Sequence, residues 1–275
     1  MKEFKNDPLC EEKYLVSKGL IHKYPCRVLI LISSHCPKYC DFCFRKRITN
    51  NFLKNQINKN DIKKMIKYVL SRPEINEVIF SGGEPLTELE LLLFGLRQFS
   101  KLKQIKILRI HSRAPVTKPS LVEKNLLAFV ALSKKPIYFS LHVNHPKELS
   151  PKTIGVITAL RQAGAILLSQ TVFLKNLNDN FTVLKDLFTK LTEMGVRPYY
   201  LHHCDPVTGN EKYLVPLEKE IEIATRLRRE LSGLACPTLV IDTPDGNGKI
   251  PVPLDFWEFN QKRFKDFNDK EVETL

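Results

Sequence analysis

The 275-residue chain has no long apolar stretch. No apolar run approaches the roughly 20 residues that a membrane-spanning helix needs. The N-terminus, MKEFKNDPLCEEKYLVSKG, also lacks the apolar segment of a signal peptide. These absences predict a cytoplasmic protein with no membrane association.

Acidic residues are fewer than basic ones. The chain has 43 Lys and Arg against 30 Asp and Glu, which gives a formal net charge of +13. Such a charge suits nucleic acid, an acidic protein partner or anionic cofactors. Many lysines fall on predicted solvated helix faces, as in DIKKMIKYVL, where they favour solubility. The charge by itself therefore does not select a ligand.

Linkers rich in Gly, Ser or Pro, low-complexity tracts and internal repeats are also absent. The apolar residues, 43% of the chain, are enough to fill a large core. Seven near-continuously apolar segments predict strands that are buried on both faces. These segments are 27–33, 76–82, 105–111, 136–142, 165–174, 196–202 and 237–242.

Amphipathic segments between these strands predict helices. One follows a capping Asn60 or Asp61, and another has Ser150 at its cap, Pro151 at its first position and Gly164 at its end. Four more are predicted near 87–100, 119–133, 179–194 and 217–232. Strand, helix and parallel strand in repetition predict one α/β unit, an open or closed barrel. We expect this domain over 27–253, with accessory segments at 1–26 and 254–275.

The loops that follow the seven strands carry the unusual residues. In a barrel of parallel strands these loops converge on one face, and that face carries the chemistry. Polar residues also mark ordinary loops, but the opposite loops offer no comparable set. In chain order, the strands are followed by or contain three cysteines with Arg45, SGGEP, HSRAP with Arg113, HVNHP with His142 and His145, Gln170, HHCDPVTG with Asp205, and DTPDGNGKIP with Asp242 and Lys249.

Three of the seven cysteines lie in SSHCPKYCDFCFRKR, at Cys36, Cys40 and Cys43. Without an export signal the thiols should stay reduced, so the cluster indicates ligands rather than a disulfide. Three thiolates at this spacing can each bind one corner of a cubane iron–sulfur cluster and leave the fourth iron open. The alternative is a structural zinc site that His35 or a distant cysteine completes.

The SGGEP segment has two interpretations. Gly82 and Gly83 allow a close approach of the backbone to a ligand, with Glu84 available as an acceptor. A tight turn between strand and helix explains the same glycines. The segment alone does not decide between them.

The last two loops combine an amine with carboxylates. Lys249 follows two glycines and either forms a Schiff base in a pocket or is a surface lysine. Asp205 and Asp242 suit a cationic substrate group, or they cap turns and helices. The cationic-substrate interpretation requires both aspartates to face one pocket.

Taken together, these segments resemble a known enzyme family. CPKYCDFC resembles the CxxxCxxC motif of the radical S-adenosylmethionine (SAM) superfamily, and the match to the lysine 2,3-aminomutase family extends over about 22–254. The closer likeness is to short bacterial members that make β-lysine for modifying elongation factor P. The resemblance implies a partial (β/α)6-type TIM barrel of the radical SAM type. It rests on HKYPCRVLILISSHCPKYCDFCFRKR, VIFSGGEPL, RIHSRAPV, LHVNHPKELS, LLSQTVFLKNLNDN, RPYYLHHCDPVTG and VIDTPDGNGKIPVP.

The resemblance also implies roles for individual residues. A [4Fe–4S] cluster, whose free iron chelates SAM, would be ligated by Cys36, Cys40 and Cys43. The SAM site would be lined by Phe42, Gly82, Gly83, Glu84 and His142. Pyridoxal 5′-phosphate (PLP) would be held covalently by Lys249, with Arg113 and Gln170 as further cofactor neighbours. The substrate carboxylate would bind Arg45, and its distal amino group would bind Asp205 and Asp242.

The implied reaction moves the α-amino group of L-lysine from C2 to C3. Its electron would come from a flavodoxin- or ferredoxin-type donor, and no nucleic-acid partner is expected. Arginine and ornithine are alternative cationic substrates. A radical SAM enzyme that modifies RNA is a rival hypothesis, although it leaves Lys249, Asp205 and Asp242 unused. A non-catalytic protein that binds iron–sulfur or zinc structurally is a third.

Overall fold

A computed structural model describes residues 6–49, 56–243, 246, 248–258, 263–265 and 270–273 of the chain. Most of the strands join in a single ten-stranded sheet. Its strands are β1 (Leu15–Ser17), β2 (Leu20–Tyr24), β3 (Arg27–Ser33), β4 (Glu77–Gly82), β5 (Ile107–Ser112), β6 (Ile137–His142), β7 (Ile166–Val172), β8 (Arg197–His202), β9 (Thr238–Asp242) and β10 (Lys249–Pro251).

The strands lie in the sheet in chain order, and β1 does not pair with β10. Strands β3 to β9 are parallel, and they are the seven strands predicted from the sequence. The hairpin β1–β2 pairs antiparallel with β3, and β10 returns antiparallel along β9. The sheet is therefore an unclosed barrel, as expected for the partial barrel.

Six helices cross between consecutive parallel strands, as predicted. They are α2 (Lys59–Leu70), α3 (Leu89–Ser100), α5 (Lys124–Leu132), α6 (Pro151–Gln162), α7 (Phe181–Glu193) and α8 (Leu217–Glu230), in addition to the one-turn helices α1 (Lys46–Thr49) and α4 (Ala114–Thr117). Their apolar faces pack on the outer face of the sheet, where Val28, Ile30, Val78, Phe80 and Leu108 are buried.

The capping prediction for α2 was wrong by two or three residues. Asn58 is the cap: its Oδ1 accepts from the amides of Asn60 and Asp61, and the Asp61 carboxylate accepts from the amide of Asn58. This reciprocal arrangement satisfies three backbone donors and starts the helix before Asn60. The cap of α6 at Ser150 is as predicted, since its hydroxyl accepts from the Thr153 amide at 3.2 Å.

The inner face of the sheet is more polar than expected, because the sequence predicted apolar strands that are buried on both faces. In β4 all six residues are buried, but β5 alternates buried and half-buried residues because Arg109 and His111 point inward. Arg109 forms an ion pair there with Glu77 of β4. The inner face therefore does not serve only as core.

The predicted domain boundaries, with accessory segments at 1–26 and 254–275, stay a prediction. Residues 15–24 extend the barrel sheet through β1 and β2. A separate three-stranded antiparallel sheet forms from Trp257–Glu258, Arg263–Lys265 and Glu271–Glu273. In the part of the chain described, no helix has both the length and the apolar character that crossing a bilayer requires.

Candidate active site

The predicted site residues lie at the carboxyl ends of the parallel strands. Because β3 to β9 run in the same direction, the loops that follow them open on one edge of the sheet, the mouth of the half-barrel. The antiparallel strand β10 brings Lys249 back to that edge, where it pairs with Asp242 at the end of β9.

The cysteine loop follows β3. Cys36, Cys40 and Cys43 are free thiols of intermediate exposure. Burial, together with the nearby Cys43, Glu84 and Cys40, raises the pKa of Cys36 to about 12. The contributions of Cys43 and Cys40 to this shift indicate that the three sulfurs lie near one another. Such a set fits an iron–sulfur cluster, in which each thiolate binds a different iron.

Among the described residues, no three or more His, Cys, Asp or Glu side chains are grouped as ligands of a metal ion. Thiolates that bind separate corners of a cluster need not converge on one point. The loop is partly ordered by its own backbone, since the amide of Cys43 donates to the carbonyl of Cys40 at 3.0 Å. The ligand roles of the three cysteines stay a prediction.

Gly82 and Gly83 bring the end of β4 against the start of the cysteine loop. A Cβ atom at Gly82 would lie 2.3 Å from the carbonyl oxygen of Ser33, and one at Gly83 would lie 2.6 Å from that of His35. Gly82 also has a φ of +125°, which other residues rarely adopt. Contact between two chain segments thus explains both glycines, and their contact with SAM stays a prediction.

Glu84 is buried and has four hydrogen-bond donors around its carboxylate. They are the Ser112 hydroxyl at 2.7 Å and the amides of Leu86, Arg113 and Ala114 at 3.1, 2.9 and 2.9 Å. Burial raises its pKa, and these donors act in the opposite direction. The side chain therefore joins the loops after β4 and β5, and its predicted contact with SAM is not tested.

Arg113 lies beside the cysteine loop. Its Nη1 donates to the sulfur of Cys40 at 2.6 Å, and its Nη2 pairs with Glu148 at 2.6 Å. Its guanidinium lies 5.1 Å from the centre of the Phe42 ring, which meets the His142 ring edge-on at 5.9 Å. Phe42 and His142 are thus in contact, and their SAM-lining role stays a prediction. Arg113 lies near the cluster thiols, while its role beside a cofactor phosphate or carboxylate stays a prediction.

Lys249 makes two polar contacts at the other side of the mouth. Its Nζ donates to Oδ2 of Asp242 and lies 3.2 Å from Nδ1 of His202. Burial would raise the pKa of Asp242, but the hydrogen bond from His202 and the charge of Lys249 lower it to about 2. Burial and Lys249 also lower the pKa of His202, so this imidazole is neutral at pH 7.

The pKa of Asp205 is shifted in the opposite direction from that of Asp242. Burial raises its pKa to about 7, and the negative charge of Asp242 contributes in the same direction. Lys249 and His203 oppose the shift. The two aspartates predicted to act together are therefore close enough to interact. Asp242 is ionised at neutral pH, whereas Asp205 is fully ionised only above its pKa of about 7.

Arg45 is almost fully buried, with 8% of its surface exposed. Its Nε and Nη2 donate to the carboxylate of Glu11, and its Nη1 donates to the Ser81 hydroxyl at 3.0 Å. The sequence did not predict Glu11 as a partner, although its acidic segment, CEEK, lies in the first 14 residues. The predicted role of Arg45 toward a substrate carboxylate is not tested.

A second missed residue is Asn210, which is fully buried. Its Nδ2 donates to the carbonyl oxygens of Phe42 and Asp205 at 2.9 and 3.3 Å, and its Oδ1 accepts from Lys46 at 2.8 Å. Asn210 thus joins the cysteine loop to the loop that carries Asp205. Its place in the turn TGN gave no signal for this role.

The inner face beneath the mouth contains polar atoms that fit a cofactor. In the described residues, the Nε2 atoms of His111 and His142 and the Oγ atom of Ser140 are buried without a hydrogen-bond partner. Gln170 lies between His142 on β6 and Tyr200 on β8. Buried polar atoms are normally paired, so these groups suit a polar ligand such as PLP or SAM.

Comparison with known proteins agrees with this geometry. The family model described as the radical SAM superfamily matches residues 30–187. L-lysine 2,3-aminomutase of Fusobacterium nucleatum subsp. nucleatum is 38% identical over 250 residues, which are 90% of this chain and 58% of the relative. L-lysine 2,3-aminomutase of Escherichia coli (strain K12) is 36% identical over 255 residues, which are 91% of this chain and 73% of the relative.

A solved structure is similar in fold. The crystal structure of a radical SAM methyltransferase from Sphaerobacter thermophilus superposes with a TM-score of 0.59 at 14% identity, covering 83% of this chain and 71% of that one. At this identity the likeness concerns the fold alone.

The chain belongs to the radical SAM superfamily and, within it, to the L-lysine 2,3-aminomutase family. Membership implies a [4Fe–4S] cluster, SAM and PLP as cofactors. The chain spans less than two thirds of the length of several curated relatives, including 58% of the Fusobacterium protein and 59% of that from Clostridium subterminale.

Proposed function

We propose that this chain is a radical SAM, PLP-dependent isomerase that moves the α-amino group of L-lysine from C2 to C3 and so forms β-lysine. One observation carries the proposal: the Lys249 amine and the two interacting carboxylates, Asp205 and Asp242, open on the same mouth as the cysteine loop. A radical SAM enzyme without an amino-acid substrate would have no use for this combination.

The charge of the pocket supports a cationic substrate. In the absence of ligand, Asp242 is ionised and pairs with Lys249, while Asp205 is half protonated near pH 7. Lys249 would hold PLP covalently, and Asp242 would then lack this ammonium partner. The distal ammonium of lysine then supplies the positive charge, and it favours ionisation of both aspartates.

His202 also faces Lys249. Its Nδ1 atom lies 3.2 Å from the Lys249 Nζ, and the same nitrogen lies 3.8 Å from Oδ2 of Asp242. The imidazole thus contacts both the amine and its carboxylate partner, and it supports the position of the amine.

When bound, the cluster and SAM supply the radical that removes a hydrogen atom from the substrate, and PLP carries the migrating nitrogen. The protein positions the reacting groups and excludes water. Two features support this proposal: the buried Arg45 suits the substrate carboxylate, and the aspartates suit the distal ammonium.

The test is anaerobic incubation of the reconstituted protein with L-lysine, SAM, PLP and dithionite, followed by chromatography for β-lysine. We expect β-lysine as the main product, with slower turnover of arginine and ornithine. Faster turnover of either rival would keep the reaction class and change the substrate. Absence of any β-amino acid, together with cleavage of SAM in the presence of RNA, would favour the RNA-modifying alternative.

A pair of lysine variants isolates the role of Lys249. Lys249→Ala should abolish both the product and the long-wavelength absorbance of covalently bound PLP. Lys63→Ala, on the exposed face of α2, should leave both unchanged. Retention of the PLP absorbance in Lys249→Ala would contradict the assignment.

We further propose that the β-lysine is used to modify elongation factor P and that a flavodoxin- or ferredoxin-type protein supplies the electron. The resemblance to the short bacterial members supports the first point. Deletion of the gene in its host should remove the β-lysyl group from elongation factor P, as measured by mass spectrometry of the intact factor. An unchanged mass would show that the product has another use.

A further inference from the structure

The carboxylate of Glu11 occupies one edge of the Arg45 guanidinium. Its Oε1 accepts from Nε and Nη2 at 3.1 and 2.7 Å, and its Oε2 accepts from Nε at 3.0 Å. The opposite nitrogen, Nη1, donates to the Ser81 hydroxyl and to the Gly82 carbonyl. The edge that Glu11 fills is therefore the one that could bind a substrate carboxylate through two parallel hydrogen bonds.

We propose that Glu11 is an internal occupant of the substrate-carboxylate site, which the carboxylate of an α-amino acid replaces on binding. This inference rests on the proposed function in one respect, that Arg45 binds the substrate carboxylate. It adds a residue to the substrate site and makes the N-terminal flap, defined as residues 7–14, part of the binding event.

The charges require that the substrate carboxylate replaces Glu11 at Arg45 and does not bind beside it. Arg45 and Glu11 are 8% and 7% exposed, so they form a nearly dry pair with no net charge. A second carboxylate at the same arginine would leave a buried negative charge close to Asp205, whose pKa Glu11 already helps to raise. Burial of an unpaired charge is strongly unfavourable, so Glu11 must leave when the substrate carboxylate arrives.

Arg47 provides Glu11 with an alternative partner. Its Nη2 lies 3.9 Å from Oε2 of Glu11, and Asp7 and Glu12 already pair with the same guanidinium. A small rotation of the flap is thus enough to transfer Glu11 from a buried arginine to a less buried one. The side chain of Arg47 is 21% exposed, whereas that of Arg45 is 10% exposed.

The flap also contacts the loop that precedes Lys249. The Tyr14 hydroxyl donates to the carbonyl of Gly246 at 3.0 Å. A Cβ atom on Gly246 would lie 2.6 Å from the Leu9 carbonyl and 2.9 Å from Cβ of Cys10, which shows how closely the two segments pack. Movement of Glu11 therefore loosens the contact between the flap and this loop, and binding of a carboxylate is coupled to that loosening.

The direct test uses the reconstituted wild-type protein without dithionite, so that no turnover occurs. Hydrogen exchange of the flap amides is measured alone, with L-lysine, and with 1,5-diaminopentane, which lacks the carboxylate. We expect L-lysine to speed exchange at 9–14 at least fivefold and the diamine to have no effect. Equal exchange in all three samples, with lysine shown to bind, would overturn the proposal.

A matched pair of variants measures the competition. Glu11→Gln keeps the side-chain shape but removes its charge, so the Kd for L-lysine should fall about threefold to tenfold while the Kd for the diamine stays constant. Glu74→Gln, an exposed residue in the turn between α2 and β4, should keep both Kd values within about twofold. Weaker lysine binding by Glu11→Gln would show that Glu11 only holds Arg45 in position, and would overturn the proposal.

Failure of the proposed function has a different signature. If L-lysine does not bind, but ornithine, arginine or acetate at high concentration speeds flap exchange, the substrate assignment fails and the exchange of carboxylates stands. If β-lysine forms at full rate and the exchange of the flap amides does not respond to L-lysine, the proposed function stands and the exchange of carboxylates fails. The wild-type exchange measurement does not depend on whether Glu11→Gln folds.

Discussion

The Nδ2 atom of Asn210 donates to the carbonyl of Phe42 at 2.9 Å. Phe42 lies between the second and third cysteines of the cysteine loop, and the same amide group donates to the backbone of Asp205. One side chain therefore fixes the spacing between the region that suits the cluster and the region that suits the substrate ammonium. Hydrogen transfer between bound groups depends on such spacing.

Replacement of Asn210 tests this coupling. Asn210→Ala removes the donor to two backbone carbonyls, and we expect unfolding to become easier by about 2 kcal/mol, as for other buried groups left unpaired. Activity should fall more than iron content, because the cysteines themselves remain. Asn210→Asp is a second variant of similar shape: it keeps an acceptor for Lys46 but loses the same donor, so its activity should fall as well. Wild-type activity in both variants would contradict the spacing role.

The pKa of Asp205 predicts a pH dependence of substrate binding. Below its pKa of about 7 this carboxyl is protonated in the free protein, and a bound ammonium requires it to ionise. Affinity for L-lysine should thus fall by roughly tenfold for each pH unit below 7 and level off above it. Asp242, with a pKa of about 2, stays ionised throughout.

Calorimetry of lysine binding between pH 6 and 8 measures this dependence, and two buffers of different ionisation enthalpy count the released proton. Asp205→Asn should bind more weakly at pH 8 and show no dependence on pH in this range. Because burial raises the pKa of Asp205 from its ordinary value of 3.8 to about 7, the ligand-free fold should also lose stability as the pH rises between these values and level off above 7. A flat binding profile for the wild type would be incompatible with the pairing of ammonium and Asp205.

Removal of one cysteine of the loop tests the cluster. Cys40→Ala should lose the brown colour after anaerobic reconstitution, and iron and sulfide analysis should show little bound cluster. Cys236→Ala is the control, since Cys236 lies after α8 and contacts the carbonyls of Leu227 and Leu231. The control should bind the same amount of iron as the wild type. A full complement of iron in Cys40→Ala would contradict the ligand assignment.

Gly82 and Gly164 both have a positive φ, but only Gly82 packs closely against another segment. Alanine variants at these two positions therefore distinguish the cost of backbone strain from the cost of a steric clash. Gly82→Ala combines a φ of +125° with a Cβ atom 2.3 Å from the Ser33 oxygen, so we expect a loss of about 3 kcal/mol in the free energy of unfolding. Gly164→Ala has a φ of +92° but no atom within 4 Å of the added Cβ, and should lose only about 1 kcal/mol. Urea denaturation gives both values, and equal losses would show that the contact at Gly82 is unimportant.

The sequence predicted the parallel strands and their helices well because periodicity carries that information. Near-continuous apolar runs separated by amphipathic segments are sufficient to indicate an α/β barrel, and the loops at one end of it then follow. The cysteine spacing likewise resides in the sequence. These features are local, or repeat along the chain.

Contacts between distant segments were not predictable in the same way. Glu11 meets Arg45 across 34 residues, and Asn210 meets Phe42 across 168. Nothing in either local pattern distinguishes these side chains from ordinary turn and surface residues. Glu84 is the converse case: its motif suggested a ligand, but its carboxylate accepts from the chain itself. The fold alone decides which polar groups are already paired.

Two tyrosine hydroxyls connect the N-terminal part of the chain with the segment around Lys249. Tyr24 on β2 accepts from the amide of Lys249 on β10 at 3.2 Å, and Tyr14 reaches Gly246 from the flap. Each of these contacts is a single hydrogen bond, worth about 1 kcal/mol, so in the described residues this junction is held more weakly than two paired strands.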